Sequence, residues 1–290
     1  MGTYLKVPPF ARRRRRDRLS REHIRERIGM NQSERREYLI RALLTERPDG
    51  RSIEIPEDAD GQRALLRGLV NVRPPEPVAP EVLHVQDAYL EQRLTERGGP
   101  TDAERLAFHD RIAIWRGDTT LLAADAIVNA ANSQMLGCFV PGHSCIDNAI
   151  HTYAGMQLRL ACAELMDEQG HEEPTGQVKV TPAFNLPSRF VFHTVGPVVP
   201  SHRPGPREEL LLRSCYESCL AEATRAGLST LAFCCISTGV FGYPQQDAAR
   251  VAIDAVRRHL SHNDHDLKVV FNVFLASDEA IYQELLGSDR

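Results

Sequence analysis

Residues 124–155 read ADAIVNAANSQMLGCFVPGHSCIDNAIHTYAG, an order that predicts a strand, a polar turn, a cysteine–histidine loop and a helix start. The run Asp125-Ala126-Ile127-Val128 is apolar with β-branched members, the pattern of a strand buried on both faces. It passes directly into Asn129 and Asn132, whose amides both donate and accept and so suit sugar hydroxyls. Cys138, His143 and Cys145 follow in one loop, two thiolates and an imidazole of the kind that hold zinc. Asp147 comes next, where a helix begins. A carboxylate, two amides and a soft donor set at the end of one strand have the composition of a site rather than of a core.

Outward from this stretch, apolar runs at 112–115, 126–128, 178–181, 190–194, 230–236 and 268–275 predict strands. Helical patterns lie between and after them at 146–168, 206–226, 245–260 and 278–286. Such alternation predicts a three-layer α/β fold with helices on both faces of a sheet. Ligands of such sheets bind beyond the carboxyl ends of the strands. Upstream, Ser33 is a plausible N-cap for a first helix, followed by helices at 60–71 and 80–97. The prolines of residues 73–77 stiffen one connector, and Gly98-Gly99-Pro100 closes the block. The chain is thus expected to divide into a basic tail at 1–32, a docked helical extension at 33–106 and an α/β domain at 107–290.

The 290 residues are 42% hydrophobic and 26% charged, ordinary for a globular protein, and no apolar run is long enough to span a bilayer. A formal net charge of -4 gives no global reason to expect nucleic acid. Seven cysteines, unevenly spaced and without a secretory leader pattern, point to a reducing, cytoplasmic setting. The unbroken arginine run at 12–16 reads as a disordered tail, a targeting presequence or a polyanion contact.

Four motifs in order carry a resemblance to the macrodomain family of ADP-ribose-binding modules, above all to its zinc-dependent branch of protein-ADP-ribose hydrolases. They are the 124–155 stretch, the turn Gly117-Asp118-Thr119-Thr120, the strand end HTVGP at 193–197 and the loop STGVFGYP at 237–244. The resemblance spans about 107–290 and, more weakly, 33–106. It implies a three-layer α/β/α macrodomain with a central mixed sheet plus an N-terminal helical extension. Most macrodomains carry a glycine run before the ID-x-AIH segment; here a Cys/His loop replaces it, which is what points to the zinc branch.

On this resemblance Asp118, with Thr119 beside it, would contact adenine, although Asp118 could instead serve only its turn. Phe274 would stack on the base, with Phe271 as the fallback and a plain core aromatic as the bland alternative. The main chain of Ser237, Thr238, Gly239, Val240, Phe241 and Gly242 would cradle the diphosphate, since glycines let backbone N–H groups approach phosphates. Phe241 would pack against the distal ribose and Asn132 would hold it, unless Asn132 is a satisfied turn amide. Cys138, His143 and Cys145 would bind one zinc per chain with an open fourth position. The other readings are a Cys138–Cys145 redox pair, or a closed site completed by His171 or Cys162. Asp147 would be the acid/base group, or else a helix cap, and His151 is expected to make a buried structural hydrogen bond.

The function so implied is zinc-dependent release of ADP-ribose from mono-ADP-ribosylated proteins, with acidic side chains as the expected linkage. Alternatives are an ADP-ribose reader without catalysis, an O-acetyl-ADP-ribose deacetylase, and a polyanion binder resting on the arginine tail alone. The resemblance also suggests a lipoyl-carrier protein, modified by a sirtuin-type transferase, as a substrate.

Overall fold

A computed structural model describes residues 29–263 and 265–287; the arginine run lies outside the described residues. In chain order the elements are α1 (Gln32–Thr45), α2 (Ala59–Val72), α3 (Pro80–Glu96), β1 (Thr101–Asp102), β2 (Ile112–Arg116), β3 (Leu122–Ala123), β4 (Ala126–Ala131), α4 (Ile146–Ala154) and α5 (Met156–Gln169). They continue with β5 (Val178–Pro182), β6 (Phe190–Val195), α6 (Pro206–Arg225), β7 (Thr230–Phe233), α7 (Gln245–His262), β8 (Lys268–Val273) and α8 (Ala276–Gly287).

Six strands form one sheet in the order β2-β8-β7-β4-β6-β5, while β1 and β3 pair separately. Every neighbouring pair in the large sheet is parallel except β5 with β6, so the sheet is mixed, as expected. In β4 the side chains of Ala126, Ile127 and Val128 are fully buried, because helices cover both faces of a parallel sheet and leave no solvated side. One face packs with α6 and α7 through Leu231, Phe233, Tyr216 and Val256. The other packs with α4 and α5 through Ile127, Ile150 and Leu158.

Local boundaries differ from expectation in ways that bear on function. The helix predicted over 146–168 is broken at Gly155, whose φ is 94°; a Cβ there would come 2.5 Å from Gln86 Nε2. β7 and β8 stop at Phe233 and Val273, which releases 234–236 and Phe274 into loops, and β4 runs on to carry Asn129 into the sheet. The first helix is capped by Asn31 rather than Ser33. The Asn31 side chain accepts from Ser33 N and Glu34 N at 2.9 and 3.1 Å, and Glu34 returns the bond to Asn31 N at 2.7 Å, a reciprocal capping box.

The three N-terminal helices share a core of Leu39, Ile40, Leu43, Leu66, Leu69, Val85 and Tyr89, which Met156 of α5 completes. Polar bonds lock this region down. Gln86 Oε1 accepts from Met156 N at 2.9 Å. Arg159 donates to the carbonyls of Leu136 at 2.7 Å and Val70 at 2.9 Å. These bonds and the shared Met156 contact hold the helices against α5. Among the described residues no helix is long and apolar enough to cross a membrane.

Candidate active site

The site begins where β4 ends. Asn129 lies inside the strand and is fully buried, which corrects its reading as a sugar contact. Its Nδ2 donates to Asp147 Oδ1 at 2.8 Å and lies 3.1 Å from His193 Nδ1. Asn132 bonds within its own turn, donating to Gly137 O at 3.1 Å and accepting from Gln134 N at 3.0 Å.

Asp147 occupies the first turn of α4 at 4% exposure, but it is not the cap. That place belongs to Cys145, whose Sγ accepts from Asn148 N at 3.4 Å. Burial pushes the Asp147 carboxyl up to about 6, against the opposing hydrogen bond from Asn129. Its Oδ2 has no hydrogen-bond partner among the described residues. His151 Nε2 lies 3.6 Å from Asp147 Oδ1, too far for a hydrogen bond. Burial drives the imidazole well below its ordinary pKa, so the ring is neutral and the contact is no ion pair. Neither ring nitrogen has a partner among the described residues, and the expected structural hydrogen bond is not formed. The ring is instead packed by main chain: a Cβ on Gly137, whose φ is 83°, would come 2.8 Å from it.

Cys138, His143 and Cys145 offer ligand atoms that all lie within 4.8 Å of one another, with Cys138 Sγ 3.6 Å from His143 Nδ1. All three are half-buried, and both cysteines are free thiols. Cys162 groups instead with His151 and His193 in a buried trio, and His171 is exposed beside the Glu172 carbonyl. No fourth protein ligand joins the first group among the described residues. Burial raises the Cys145 thiol to about 11, a cost that a bound cation would reverse by favouring thiolate. The donor chemistry therefore fits zinc with one position left for another ligand.

Two more loops flank this one. After β2, Asn272 Nδ2 donates to Gly117 O at 2.9 Å, and a Cβ at Gly117 would meet the Trp115 ring at 2.4 Å. Asp118 Oδ1 accepts from Thr120 N and Thr120 Oγ1 at 2.9 and 2.7 Å, and Thr119 is buried. Asp118 Oδ2 pairs with Arg97, at the end of α3, whose guanidinium lies 3.5 Å over the Tyr153 ring. Phe274, just past β8, is 73% exposed, whereas Phe271 is buried against Tyr282; Phe271 cannot be the stacking ring, and Phe274 is no core residue.

After β7, Ser237 adopts φ 66° and Gly242 φ 74°. Bonds from Gly242 N to Gly239 O and from Tyr243 N to Ser237 O, both 3.0 Å, close the turn. The N–H groups of Gly239, Val240 and Phe241 donate to no described carbonyl, and the Val240 side chain is 81% exposed. Ser237 Oγ is buried without a partner among the described residues.

The strand order β2-β8-β7-β4 sets these stations side by side: Asp118, Phe274, the 237–242 loop, then the Cys/His loop and Asp147. Three interstrand steps make a row of roughly 15 Å, suited to a ligand with a base at one end and a sugar at the other. A cavity of about 700 Å³ lies elsewhere, lined by Arg111, Ile112, Leu260 and Leu286 at the amino end of β2. Asn129 was expected at a sugar rather than beneath Asp147, and Arg97 was not foreseen as a site residue. An asparagine inside an apolar strand was the available signal for the first; Arg97 looked like any helix-end charge.

The Macro domain family model matches residues 128–252. A protein-ADP-ribose hydrolase of Treponema medium is 50% identical over 262 residues, spanning 89% of this chain and 100% of the relative. A solved Oceanobacillus iheyensis macrodomain with ADP is 40% identical at TM-score 0.56, over 61% of this chain and 90% of that one. A Trypanosoma brucei macrodomain in complex with ADP-ribose is 31% identical at TM-score 0.59, over 76% and 95%. The chain belongs to the macrodomain family, within its protein-ADP-ribose hydrolase group. It is accordingly an enzyme, a hydrolase.

Proposed function

We propose that this protein is a zinc-dependent hydrolase that releases ADP-ribose from acidic side chains of mono-ADP-ribosylated proteins. The observation that carries the reading is the shared placement, at the carboxyl end of β4, of the Cys138–His143–Cys145 donor set and a buried carboxyl at Asp147. An ADP-ribose reader needs neither.

Along the row, Asp118 Oδ2 accepts the adenine exocyclic amine with the lone pair that Arg97 leaves, and Phe274 covers the face of the base. The unpartnered N–H groups of Gly239, Val240 and Phe241 receive the diphosphate, as main-chain nests do. The Phe241 ring and Asn132 hold the distal ribose. Asp147, fixed through Oδ1 by Asn129, keeps Oδ2 to take a proton from water or from a ribose hydroxyl, as a general base does. Zinc held by Cys138, His143 and Cys145 would supply a Lewis-acid site for an oxygen ligand at its remaining position. An acyl–ribose bond is labile, so holding the sugar still contributes more than a strong base does; this favours the acidic linkage over a serine ether. Two thiols that must stay reduced favour a cytoplasmic setting.

The test uses a carrier modified on an acidic residue, the lipoyl-carrier protein first, with a serine-linked carrier beside it. Free ADP-ribose should appear from the acidic linkage, stop on metal stripping and return on adding zinc. Equal release by stripped protein would refute the zinc dependence, and preference for the serine carrier would refute the linkage.

A further inference from the structure

We propose that α2 of the N-terminal extension is a working part of the metal loop, with Arg67 and Asn71 as positioning residues that set the approach of Cys138, His143 and Cys145. The inference rests on the zinc reading above. Loops that leave a sheet are mobile unless their backbone polar groups are tied, and three separated ligands bind a metal tightly only when held in place beforehand.

Here the ties come from a helix far away in sequence. Arg67 and Asn71 are four residues apart and share one face of α2. Asn71 Oδ1 accepts from Gly142 N at 2.9 Å, and Arg67 Nη2 donates to His143 O at 2.9 Å. The two bonds thus grip the peptide groups on either side of the 142–143 link, one of them carrying the carbonyl of the His143 ligand. Asn71 Nδ2 also donates to Thr152 Oγ1 at 2.9 Å, anchoring the amide to α4.

Arg67 reaches a second station through Asn148. Its Nε and Nη2 both bond Asn148 Oδ1, at 3.1 and 2.7 Å. That orients the Asn148 amide so that Nδ2 donates to Val140 O at 3.0 Å. The Asn148 N–H meets Cys145 Sγ at 3.4 Å. Arg67 therefore acts on the peptide of one ligand directly and on the segments beside the other two through Asn148. Asn71 and Asn148 are fully buried and Arg67 is half-buried, so the asparagine ends of these bonds lie away from water, where an unmade bond costs most. Arg67 makes no ion pair among the described residues; its acceptors are neutral oxygens of the loop and its flank. A Cβ on Gly68 would lie 3.6 Å from Pro141 Cβ, so the helix also touches the loop sterically.

The test measures metal affinity by chelator competition, and the absorption spectrum of the cobalt-substituted protein, for wild type, Arg67→Ala, Arg67→Met and Arg67→Lys. Outer partners of metal ligands are typically worth about 10–100-fold in affinity. Arg67→Ala and Arg67→Met should lose that much zinc affinity and change the cobalt spectrum. Arg67→Lys, which keeps one donor, should fall between. ADP-ribose affinity of the metal-free proteins should stay the same, which separates a loosened loop from a damaged fold. Wild-type affinity and spectrum in both the Met and the Lys variants would overturn the proposal, and those two decide it if Arg67→Ala does not fold. A wild-type protein that binds no zinc would sink the zinc reading itself, a result distinct from wild-type binding that Arg67 does not influence.

Discussion

The loops that follow β4 and β7 leave neighbouring strands of one sheet, yet they are held in opposite ways. The first is tied by side chains: Asn132 inside its turn, Asn148 from α4, and Arg67 and Asn71 from the extension. The second is closed by its own main chain through Gly242 N and Tyr243 N, and Phe241 O accepts from Val199 N. The difference follows from what each loop offers. A set of side-chain donors and a carboxylate must be aimed, so their surroundings are specified residue by residue. A loop that offers only backbone N–H groups needs left-handed turns at Ser237 and Gly242 and little else. Substitutions should accordingly be costly around β4 and mild around β7.

The largest effect is expected at Asp147. Asp147→Asn keeps the shape and an oxygen that can face Asn129, and removes only the proton acceptor. Turnover should fall about 10²–10⁴-fold, while calorimetry finds ADP-ribose affinity unchanged. A matching loss of affinity would mean that Asp147 binds ligand rather than working on the bond.

Next comes the Asp118 end of the row. Asp118→Ala should weaken ADP-ribose binding by about 1.5–3 kcal/mol, as for losing a charged hydrogen bond. Arg97→Ala should act in the same direction but less, because Thr120 still holds Oδ1. Titration of ADP-ribose into both variants checks the order. If Arg97→Ala costs more than Asp118→Ala, the guanidinium itself is the ligand contact.

The contrast between the loops also explains what could be read from the sequence. Cys138, His143, Cys145 and Asp147 fall within ten residues, and their chemistry is written in residue type, so this cluster of donors was legible. So was the turn after β7, because STGVFGYP carries its glycines there. The anchors were not. Arg67 and Asn148 are 81 residues apart, and on its own helix Arg67 looks like a solvated charge. Asn129 was read as a sugar contact because apolarity alone places the end of β4 at Val128, three residues short. The break at Gly155 escaped for a similar reason: helical periodicity runs through it, and the side chain that crowds the site, Gln86, comes from α3. Short-range patterning thus showed the layers and the reactive groups, while long-range polar contacts decided how those groups are held.

Phe274 offers a smaller test. It is exposed at the end of β8 with no packing role to lose, so Phe274→Ala should leave the thermal midpoint in place. Stacking on a base should be worth about 0.5–1.5 kcal/mol of ADP-ribose affinity. Ribose 5-phosphate, which lacks the base, should bind both proteins alike. A drop in its affinity would place Phe274 against the sugar or phosphate instead.

The smallest effect is expected at Val240, and it bears most directly on the comparison. Its side chain is 81% exposed, while its N–H, with those of Gly239 and Phe241, bonds no described carbonyl. If the loop works through main chain, Val240→Ser changes the side chain and leaves every donor in place. Exposed substitutions of this kind usually fall within about 0.5 kcal/mol, and ADP-ribose affinity should move by no more than that. Val140 is the matching position on the other loop, also exposed, with its carbonyl held by Asn148; Val140→Ser should be equally silent, since there too the bond belongs to the backbone. A loss of tenfold or more, about 1.4 kcal/mol, in Val240→Ser alone would show the side chain closing over the ligand. The β7 loop would then be specified by its side chains after all, and the distinction between the two loops would fall.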